Sequence, residues 1–525
     1  MNKINRSILI IIDDIRATQF TKLINQGLLP NLKKLCDKGI YSENCITDFP
    51  SVTYPTQVSI ITGTYTGHFQ KEPSHGVPCY YWMGRDTAPP YLRDYSSTNL
   101  QIYKMNEDLG KNCKTILEMV DDGDNTTSIT QYINRGSKYF FPENRVKLAF
   151  YYLILKHSRN IKKMMARANT VIVDKVIKNF ENPREYFKNN EPPLISLLWF
   201  ITSDILMHLF GFDSFIYKLN LMHIDKLIGI LIDNLQRLGY LNETAIAIIA
   251  DHGNYKAERV GDLTSFFKRL GLNNYHPRKN PKGNFNISQY TSVGFFNFKS
   301  TKENSNNDYA WYPPEISELK SFGPKKVNLI RELFKIPGSH LMFYPDENNT
   351  LDKGLIYLRR KSNGHKDFVK GKIEYRGIST NLQTKLIVED EENDIFGFSK
   401  IKNSSDLYNK FHSLNEWLEI TNKCDYPLYP DLLVRHFKNP RSADLIVSNN
   451  GDMVYNIAHG KKKEDTKYNH DIGLRKSSVV PLIIGGSPEV PKKRLEYCKS
   501  IDIVPTLLNM MGIKLDKSFI GKSLI

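Results

Sequence analysis

Acidic residues and histidines follow two apolar segments of the chain, at the points where these segments end. Asp13 follows the run 7–12, and the adjacent pair Asp251 and His252 follows the run 244–250. Carboxylate oxygens and imidazole nitrogens are ligands that Zn²⁺ accepts in catalytic sites, where one coordination position stays open. Because parallel α/β sheets bind ligands at the carboxyl ends of their strands, we expect these side chains to converge there.

A third pair of candidate ligands follows the apolar run 194–200. Asp204 and His208 are four residues apart, which is the spacing of neighbours on one face of a helix. Each feature alone also has a structural interpretation, such as a turn at Asp13 or a surface pair at 204 and 208. Together they predict a centre with two cations about 4 Å apart, which hold the attacking and leaving oxygens of an in-line displacement. Such a centre requires one more histidine further along the chain.

The candidate nucleophile is Thr53, in the segment FPSVTYPT at 49–56. A threonine hydroxyl is a weak nucleophile at its ordinary pKa, but coordination to a metal ion converts it to an alkoxide without a histidine base. Taken alone, the same segment also fits a turn that caps a helix. The hypothesis of a nucleophile therefore depends on the neighbouring metal ligands.

Four motifs of the chain occur together: IIDDIR at 11–16, the segment 49–64, ADHG at 250–253 and SIDIVPT at 500–506. Together they resemble the alkaline phosphatase superfamily. Within it, the resemblance is to the type I phosphodiesterase/nucleotide pyrophosphatase family, with phosphonoacetate hydrolases as relatives. The resemblance covers about residues 7–80, 194–255 and 465–525.

The resemblance implies two sets of metal ligands. In the family, an Asp after the first strand, an Asp-His pair and the nucleophilic Thr bind one ion, and a D-x-x-x-H pair and a late His bind the other. By motif, the first set is Asp13, Thr53, Asp251 and His252, and the second set is Asp204, His208 and His470.

The last ligand of the second set has two candidates. His470 precedes Pro481 of a Val-Pro-Leu-Ile strand at the spacing that is usual in the family. His459 is followed by Gly460, which is also usual, whereas Asp471 follows His470. We choose His470 and keep His459 as the alternative.

The chain departs from the family pattern at two places, after Thr53 and in the first-strand motif. An Asn that contacts a phosphate oxygen in the family is missing after Thr53, and Thr56 or Gln57 is expected to take its place. His75 is a further candidate for substrate contact, with a structural turn as the alternative. Asp14 stands where Gly is usual in the family.

The resemblance implies a metal-dependent hydrolase of phosphate esters that uses a Thr nucleophile and a phospho-threonine intermediate. Phosphodiester or pyrophosphate bonds are the first hypothesis, and phosphate monoesters or the C–P bond of phosphonates are the alternative. The ligand types favour two Zn²⁺ ions, with Mn²⁺ as the alternative. The chain has no sulfatase-type C/S-x-P-x-R motif, which argues against sulfate esters.

Composition restricts the partners. The 525 residues carry a net charge of +16, which favours small anionic substrates or nucleic acid. A basic nucleic-acid-binding protein with an inactive core is therefore the hypothesis from another class, although no nucleic-acid motif is present. No run reaches the about 20 apolar residues that span a bilayer, and no cleavage site follows the first strand, so we expect a cytoplasmic protein.

The pattern of elements predicts an α/β fold, a doubly wound and mostly parallel sheet flanked by helices as in alkaline phosphatase. Residues 1–255 and 441–525 are expected to form the catalytic core, with a helical insertion at 85–190. Residues 256–440 are expected to form an inserted α+β cap region that selects the substrate. Strands are predicted at 7–12, 194–200, 244–250, 339–344, 354–358 and 479–484, and helices at 21–38, 145–179, 215–238 and 501–511.

Overall fold

The structure is a computed structural model, and none of the helices in its described residues is long and apolar enough to cross a membrane. It describes residues 4–96, 101–121, 123–143, 160–301, 309–362, 368–388, 394–401, 407–458, 461–462 and 466–525.

A mostly parallel sheet of nine strands, here called the central sheet, carries the candidate ligands. Its first strand, Arg6–Ile12, pairs in parallel with a neighbour on each side. Both neighbours are buried along their whole length, as expected for strands that helices cover on both faces. From edge to edge the strands are Lys493–Arg494, Ile40–Ile46, Val479–Gly486, Thr244–Ile249, Arg6–Ile12, Ile195–Phe200, Thr126–Ile129 and Tyr139–Phe141, and Cys498–Lys499 also pairs with Ile40–Ile46.

Helices pack around this sheet, which confirms the predicted fold class. The longest, Phe215–Arg237, lies against Ile161–Glu181. The other α-helices of this unit are Ala17–Asn25, Pro30–Lys38, Thr53–Thr62, Met105–Asp108, Thr202–Phe210, Arg475–Ser478 and Ile503–Met510, and the 3₁₀ turns are Gln101–Lys104, Ile116–Glu118, Pro183–Glu185, Leu241–Glu243 and Ser500–Asp502.

The prediction of one helix at 21–38 is wrong, because the chain forms two helices there. The first is Ala17–Asn25, and Gly27 follows it with φ +70°, a conformation that favours glycine. Pro30 begins the second helix, Pro30–Lys38, where a missing N–H costs nothing. Of the helix predicted at 145–179, residues up to 159 lie outside the described residues, and the helix Ile161–Glu181 covers the rest.

A second sheet has ten antiparallel strands, which the chain forms between residues 285 and 462. Leu445–Asn449 lies in its interior, so this sheet extends past residue 440, and the domain boundary predicted there stays a prediction. In order the strands are His412–Ser413, Gln383–Val388, Phe368–Arg376, Lys353–Lys361, Ser339–Pro345, Leu445–Asn449, Val293–Phe298, Phe285–Tyr290, Ile457–Ala458 and Lys461–Lys462; the helices are Thr264–Arg269, Ile316–Leu319, Leu329–Glu332, Leu414–Thr421 and Tyr429–Lys438, with 3₁₀ turns Leu333–Lys335, Ser379–Asn381 and Phe398–Lys400.

The stretch 85–190 is mixed rather than helical in its described part. Thr126–Ile129 and Tyr139–Phe141 extend the central sheet in parallel. Propensity did not reveal these short strands, since their apolar runs are brief and the central sheet stabilises them. Three two-stranded ladders complete the structure: Tyr81–Gly84 with Tyr91–Asp94, Tyr255–Lys256 with Tyr468–Asn469, and Arg259–Val260 with Met453–Val454.

Candidate metal centre

Two groups of metal-ligand side chains lie at the carboxyl edge of the central sheet. Within each group, one oxygen or nitrogen atom per residue lies within 4.8 Å of the others. The structure thus brings together six of the seven residues that the sequence predicts as metal ligands. The inner group is Asp13, Asp251 and His252, and the outer group is Asp204, His208 and His470.

The inner group converges because its two strands are parallel neighbours. Asp13 directly follows Arg6–Ile12, and Asp251 follows Thr244–Ile249 by one residue. Nε2 of His252 lies 3.4 Å from Oδ1 of Asp13 and 3.7 Å from Oδ2 of Asp251. The three side chains are almost completely buried.

The outer group joins one helix to a distant loop. Asp204 and His208 lie one turn apart in Thr202–Phe210, with Nε2 of His208 3.2 Å from Oδ1 of Asp204. The same oxygen lies 3.6 Å from Nε2 of His470. Their side chains keep 10–27% of their surface exposed, so the outer group faces solvent while the inner group does not.

A ring contact joins the two groups. The imidazoles of His252 and His470 stack with centroids 3.8 Å apart and planes at 13°. His459, the alternative to His470, lies outside the described residues.

Thr53 lies beside this junction. It is the first residue of Thr53–Thr62, and its hydroxyl oxygen is 3.2 Å from Nε2 of His252. The preceding segment is tied to the outer group, because Ser51 donates from Oγ to the carbonyl of His470 at 2.6 Å. The Thr53 hydroxyl, which the sequence predicts as the nucleophile, therefore lies beside His252 of the inner group. His252 in turn stacks on His470 of the outer group.

The donor atoms fit divalent cations such as Zn²⁺. Oδ1 of Asp13 is buried and, within the described residues, has no hydrogen-bond partner, while Oδ1 of Asp204 is buried beside Nε2 of His208 and His470, so each is placed to share a cation with the neighbouring imidazoles. All three imidazoles contact backbone carbonyls through Nδ1: His208 at Tyr468, His252 at Gly253 and His470 at Ser51. Since a carbonyl only accepts, Nδ1 carries the proton and Nε2 stays free to bind a metal ion, as is usual for metal-ligating histidines.

Crowded carboxylates shift the acidities of the inner group. Burial, with the charges of Asp251 and Asp204, raises the pKa of Asp13 well above its usual range. Burial lowers the pKa of His252, but the charges of Asp251 and Asp14 outweigh burial and raise it to about 9. A bound cation would relieve the repulsion among these carboxylates.

The acidities of the outer group differ. Burial acts to raise the pKa of Asp204, but the neighbouring His208 and His470 outweigh burial and lower it. Burial and the charge of His252 hold the pKa of His470 well below its usual range. His470 is thus a neutral imidazole near pH 7, which is the form that binds metal ions.

The structure gives the predicted substrate contacts other partners. The Thr56 hydroxyl donates to the carbonyl of Val52 at 2.8 Å within its own helix. His75 is fully buried, with Nε2 2.9 Å from Ser59 Oγ and Nδ1 accepting from Val77 N at 3.1 Å. These contacts disfavour substrate binding by Thr56 and His75, and they favour the turn that the sequence left as the alternative for His75.

Supporting residues around the inner group were not found from the sequence. Trp199 donates from its indole to Oδ2 of Asp13 at 2.9 Å. Asp14, with φ +60°, donates its backbone N–H to Asp251 at 3.1 Å and accepts from the Asn254 amide at 2.9 Å. The parallel register of Trp199 with Ile11 would have revealed the first contact, but strand pairing is not readable from one sequence.

Comparisons with known proteins agree with this geometry. The profile of the family described as "Type I phosphodiesterase / nucleotide pyrophosphatase" matches residues 7–331, more than half of the chain. A curated pyrophosphatase/phosphodiesterase of Schizosaccharomyces pombe, itself uncharacterised, is 22% identical over 247 residues. That match spans 47% of this chain and 44% of the relative, so the chain aligns with less than half of that protein.

Solved structures share the fold. Human ectonucleotide pyrophosphatase/phosphodiesterase 5 superposes with a TM-score of 0.57 at 14% identity, covering 97% of this chain and 96% of that one. An inactive form of the murine protein in complex with AMP gives 0.53 at 13% identity with the same coverage. At these identities the likeness concerns the fold, and the resemblance inferred from the motifs is confirmed by the family match.

Proposed function

The chain belongs to the type I phosphodiesterase/nucleotide pyrophosphatase family, and on that premise we propose that it hydrolyses phosphodiester or pyrophosphate bonds of small anionic substrates. One observation carries the proposal. The Thr53 hydroxyl lies at a junction where the two groups of candidate ligands meet through the stacked imidazoles of His252 and His470. Such an arrangement fits an in-line displacement at phosphorus.

Each group has a defined part in the proposed reaction. Asp13, Asp251 and His252 would hold one divalent ion, and Asp204, His208 and His470 the other. Bound there, Zn²⁺ or Mn²⁺ would supply Lewis-acid stabilisation of the charge on the phosphoryl oxygens and on the Thr53 oxygen.

Thr53 performs the covalent step. Its hydroxyl proton passes to solvent and its oxygen forms a bond to phosphorus, while the bond from phosphorus to the leaving-group oxygen breaks and that oxygen takes up a proton from water or leaves as an anion. The product is phospho-threonine at position 53. Water then attacks phosphorus from the solvent side, where the outer group lies, and the bond to Thr53 breaks to release phosphate or a phosphate monoester.

A second candidate function stays with the same scaffold. The Asn that contacts a phosphate oxygen in the family has no counterpart, and Thr56 donates its hydroxyl proton to its own helix. This observation favours a phosphomonoesterase or a phosphonate C–P hydrolase as the alternative. Relative turnover of bis-p-nitrophenyl phosphate, p-nitrophenyl phosphate and phosphonoacetate separates the three.

The variant Thr53→Ala tests the nucleophile. It should keep both metal ions by elemental analysis and lose turnover by at least about 10³-fold, since a group that forms the covalent bond has no substitute. Thr62→Ala is the matched control, because its hydroxyl lies in the same helix and donates to the carbonyl of Val58 at 2.7 Å, away from the ligand groups. Near-normal turnover of Thr53→Ala, with both ions bound, would refute the assignment.

A further inference from the structure

A large cleft lies between the central sheet and the second sheet, apart from the metal centre. Its volume is about 1160 Å³, and no residue of the inner or outer group lines it. One wall is formed around Arg16, at the start of helix Ala17–Asn25, and by Arg475 and Lys476. The opposite wall includes His340 and Arg360 of the second sheet.

Positive charges line the interior of this cleft. Arg16, Arg360, Arg475 and Lys476 are all partly buried there, so water screens their charges less than at the open surface. In the described part of the chain, the side-chain hydrogen bonds of Arg475 go to neutral acceptors, the carbonyl of Asn422 and the amide oxygen of Asn44. Its charge is therefore not neutralised by these contacts.

Most acidic residues of the cleft lie at its exposed edge. Glu43, Asp425 and Glu496 are exposed, and Glu496 pairs with Lys423 at 2.7 Å. Asp394 is buried, accepts from the backbone N–H groups of Phe398 and Ser399, both at 2.7 Å, and keeps its charge, which acts on Arg360. Among the described residues that line the cleft, the buried charges are therefore mainly positive.

Two guanidinium groups at the walls of the cleft have an unpaired donor. Nε of Arg16 and Nε of Arg360 are buried, and within the described residues neither has a hydrogen-bond partner. Both atoms are closed to solvent, so an anion in the cleft would contact these guanidinium groups through their terminal nitrogens, where charge-assisted hydrogen bonds are strong.

We propose that this cleft is a second ligand site, which binds a phosphate-bearing small molecule through Arg16, Arg360 and Lys476. Guanidinium groups suit phosphate oxygens because their planar donors can bind two oxygens at once. The cleft is wide enough for a ligand of nucleotide size, since such sites have volumes of about 300–1,000 Å³. Binding at this site requires no turnover, so it can be tested independently of the proposed activity.

Methylenediphosphonate, a pyrophosphate analogue that cannot be hydrolysed, is the probe. Calorimetric titration of the metal-loaded protein should show two binding sites. Chelation with EDTA identifies the one at the metal centre by removing it. Arg360→Gln and Lys476→Gln should each weaken the remaining site at least about tenfold, as expected for the loss of a charge-assisted hydrogen bond, and leave the metal-dependent site unchanged.

Arg359→Gln is the matched control. Arg359 is the neighbour of Arg360 in Lys353–Lys361, but it points to the other face of the strand, where it stacks over Phe368 at 4.5 Å. This variant should keep both sites. No binding to the parent protein in EDTA, binding in EDTA that survives the double change at 360 and 476, or equal weakening by Arg359→Gln would overturn the proposal, whereas loss of only the EDTA-sensitive site would count against the proposed function. Thermal unfolding checks that each variant is folded.

Discussion

The side-chain amide of Gln57 donates to Oδ2 of Asp251 at 2.7 Å. Its carbonyl oxygen accepts from the amide of Gln131, also at 2.7 Å, and all three side chains are buried. Gln57 therefore fixes the orientation of an inner-group carboxylate, and Gln131 fixes the orientation of Gln57. Neither residue carries a charge, so both act on the metal centre through geometry.

Replacement of Gln57 should weaken metal binding. Gln57→Leu removes both hydrogen bonds, and we expect metal affinity to fall about 10–100-fold, as for other residues that orient metal ligands. Competition with a fluorescent chelator measures this. Gln131→Leu, which removes only the outer bond, should have a smaller effect. Unchanged affinity in Gln57→Leu would show that the backbone alone positions Asp251.

The two ligand groups should be separable by mutation. Asp204→Asn removes the carboxylate that lies within 3.6 Å of both outer histidines, so we expect metal content to fall from two ions to one per chain. Elemental analysis after gel filtration measures this. Asp213→Asn, an exposed acid in the same region, should keep both ions. Loss of both ions in Asp204→Asn would mean that the groups fill only together.

A buried ion pair links the end of helix Tyr429–Lys438 to the loop that contains Glu72. Nζ of Lys438 lies 2.5 Å from Oε1 of Glu72, and their side chains are 3% and 5% exposed. Lys438→Met leaves the Glu72 carboxylate buried without its partner, which should lower the free energy of unfolding by about 3–5 kcal/mol.

Urea denaturation of single and double variants measures that contribution. Adding Glu72→Gln to Lys438→Met should restore most of the loss, because the unpaired charge is then gone. If the double variant is as unstable as Lys438→Met, packing of the lysine chain rather than charge is responsible.

His436 should make stability depend on pH. Burial lowers the pKa of its imidazole to about 4 from an ordinary 6.5, against the opposing charge of Asp48. Between these values the unfolded chain binds the proton and the folded protein does not. The stabilisation is complete above pH 6.5 and is lost as pH falls towards 4, by about 3 kcal/mol in total.

The variant His436→Phe isolates this contribution. Its ring would still pack among Phe49, Phe295 and Phe437, which surround His436. The difference in unfolding free energy between the parent and this variant should grow with falling pH across the same window. A difference independent of pH would exclude His436 as the titrating group.

The sequence indicated which acidic and histidine side chains converge, because each follows a strong local pattern, and their role as ligands stays a prediction. Asp13 and Asp251 come after apolar runs, and parallel strands carry such residues to one edge. Residues that support them could not be predicted in this way. Trp199 and Gln57 reach the inner group through strand register and helix orientation, which depend on contacts distant in the chain.

The fold was less predictable away from that edge. The second sheet pairs strands as distant as Val293–Phe298 and Leu445–Asn449, and no local period indicates such pairing. The helix predicted at 21–38 failed for the opposite reason, because its apolar spacing continues through a break at Gly27. Thr56 was chosen for its hydroxyl, but the helix turn holds that group on its own backbone.

The inner group is buried and the outer group is partly exposed, and this difference implies an order in which two metal ions would bind. Asp13 is 1% exposed, whereas Asp204 and His470 keep 16% and 10% of their side-chain surface exposed, so an ion from solution would meet the outer group first. The first ion to arrive is thus expected to settle in the deep position and the second to close over it. The ions would dissociate in the reverse order. The inner ion would then exchange slowly with solution, and the outer ion would exchange quickly.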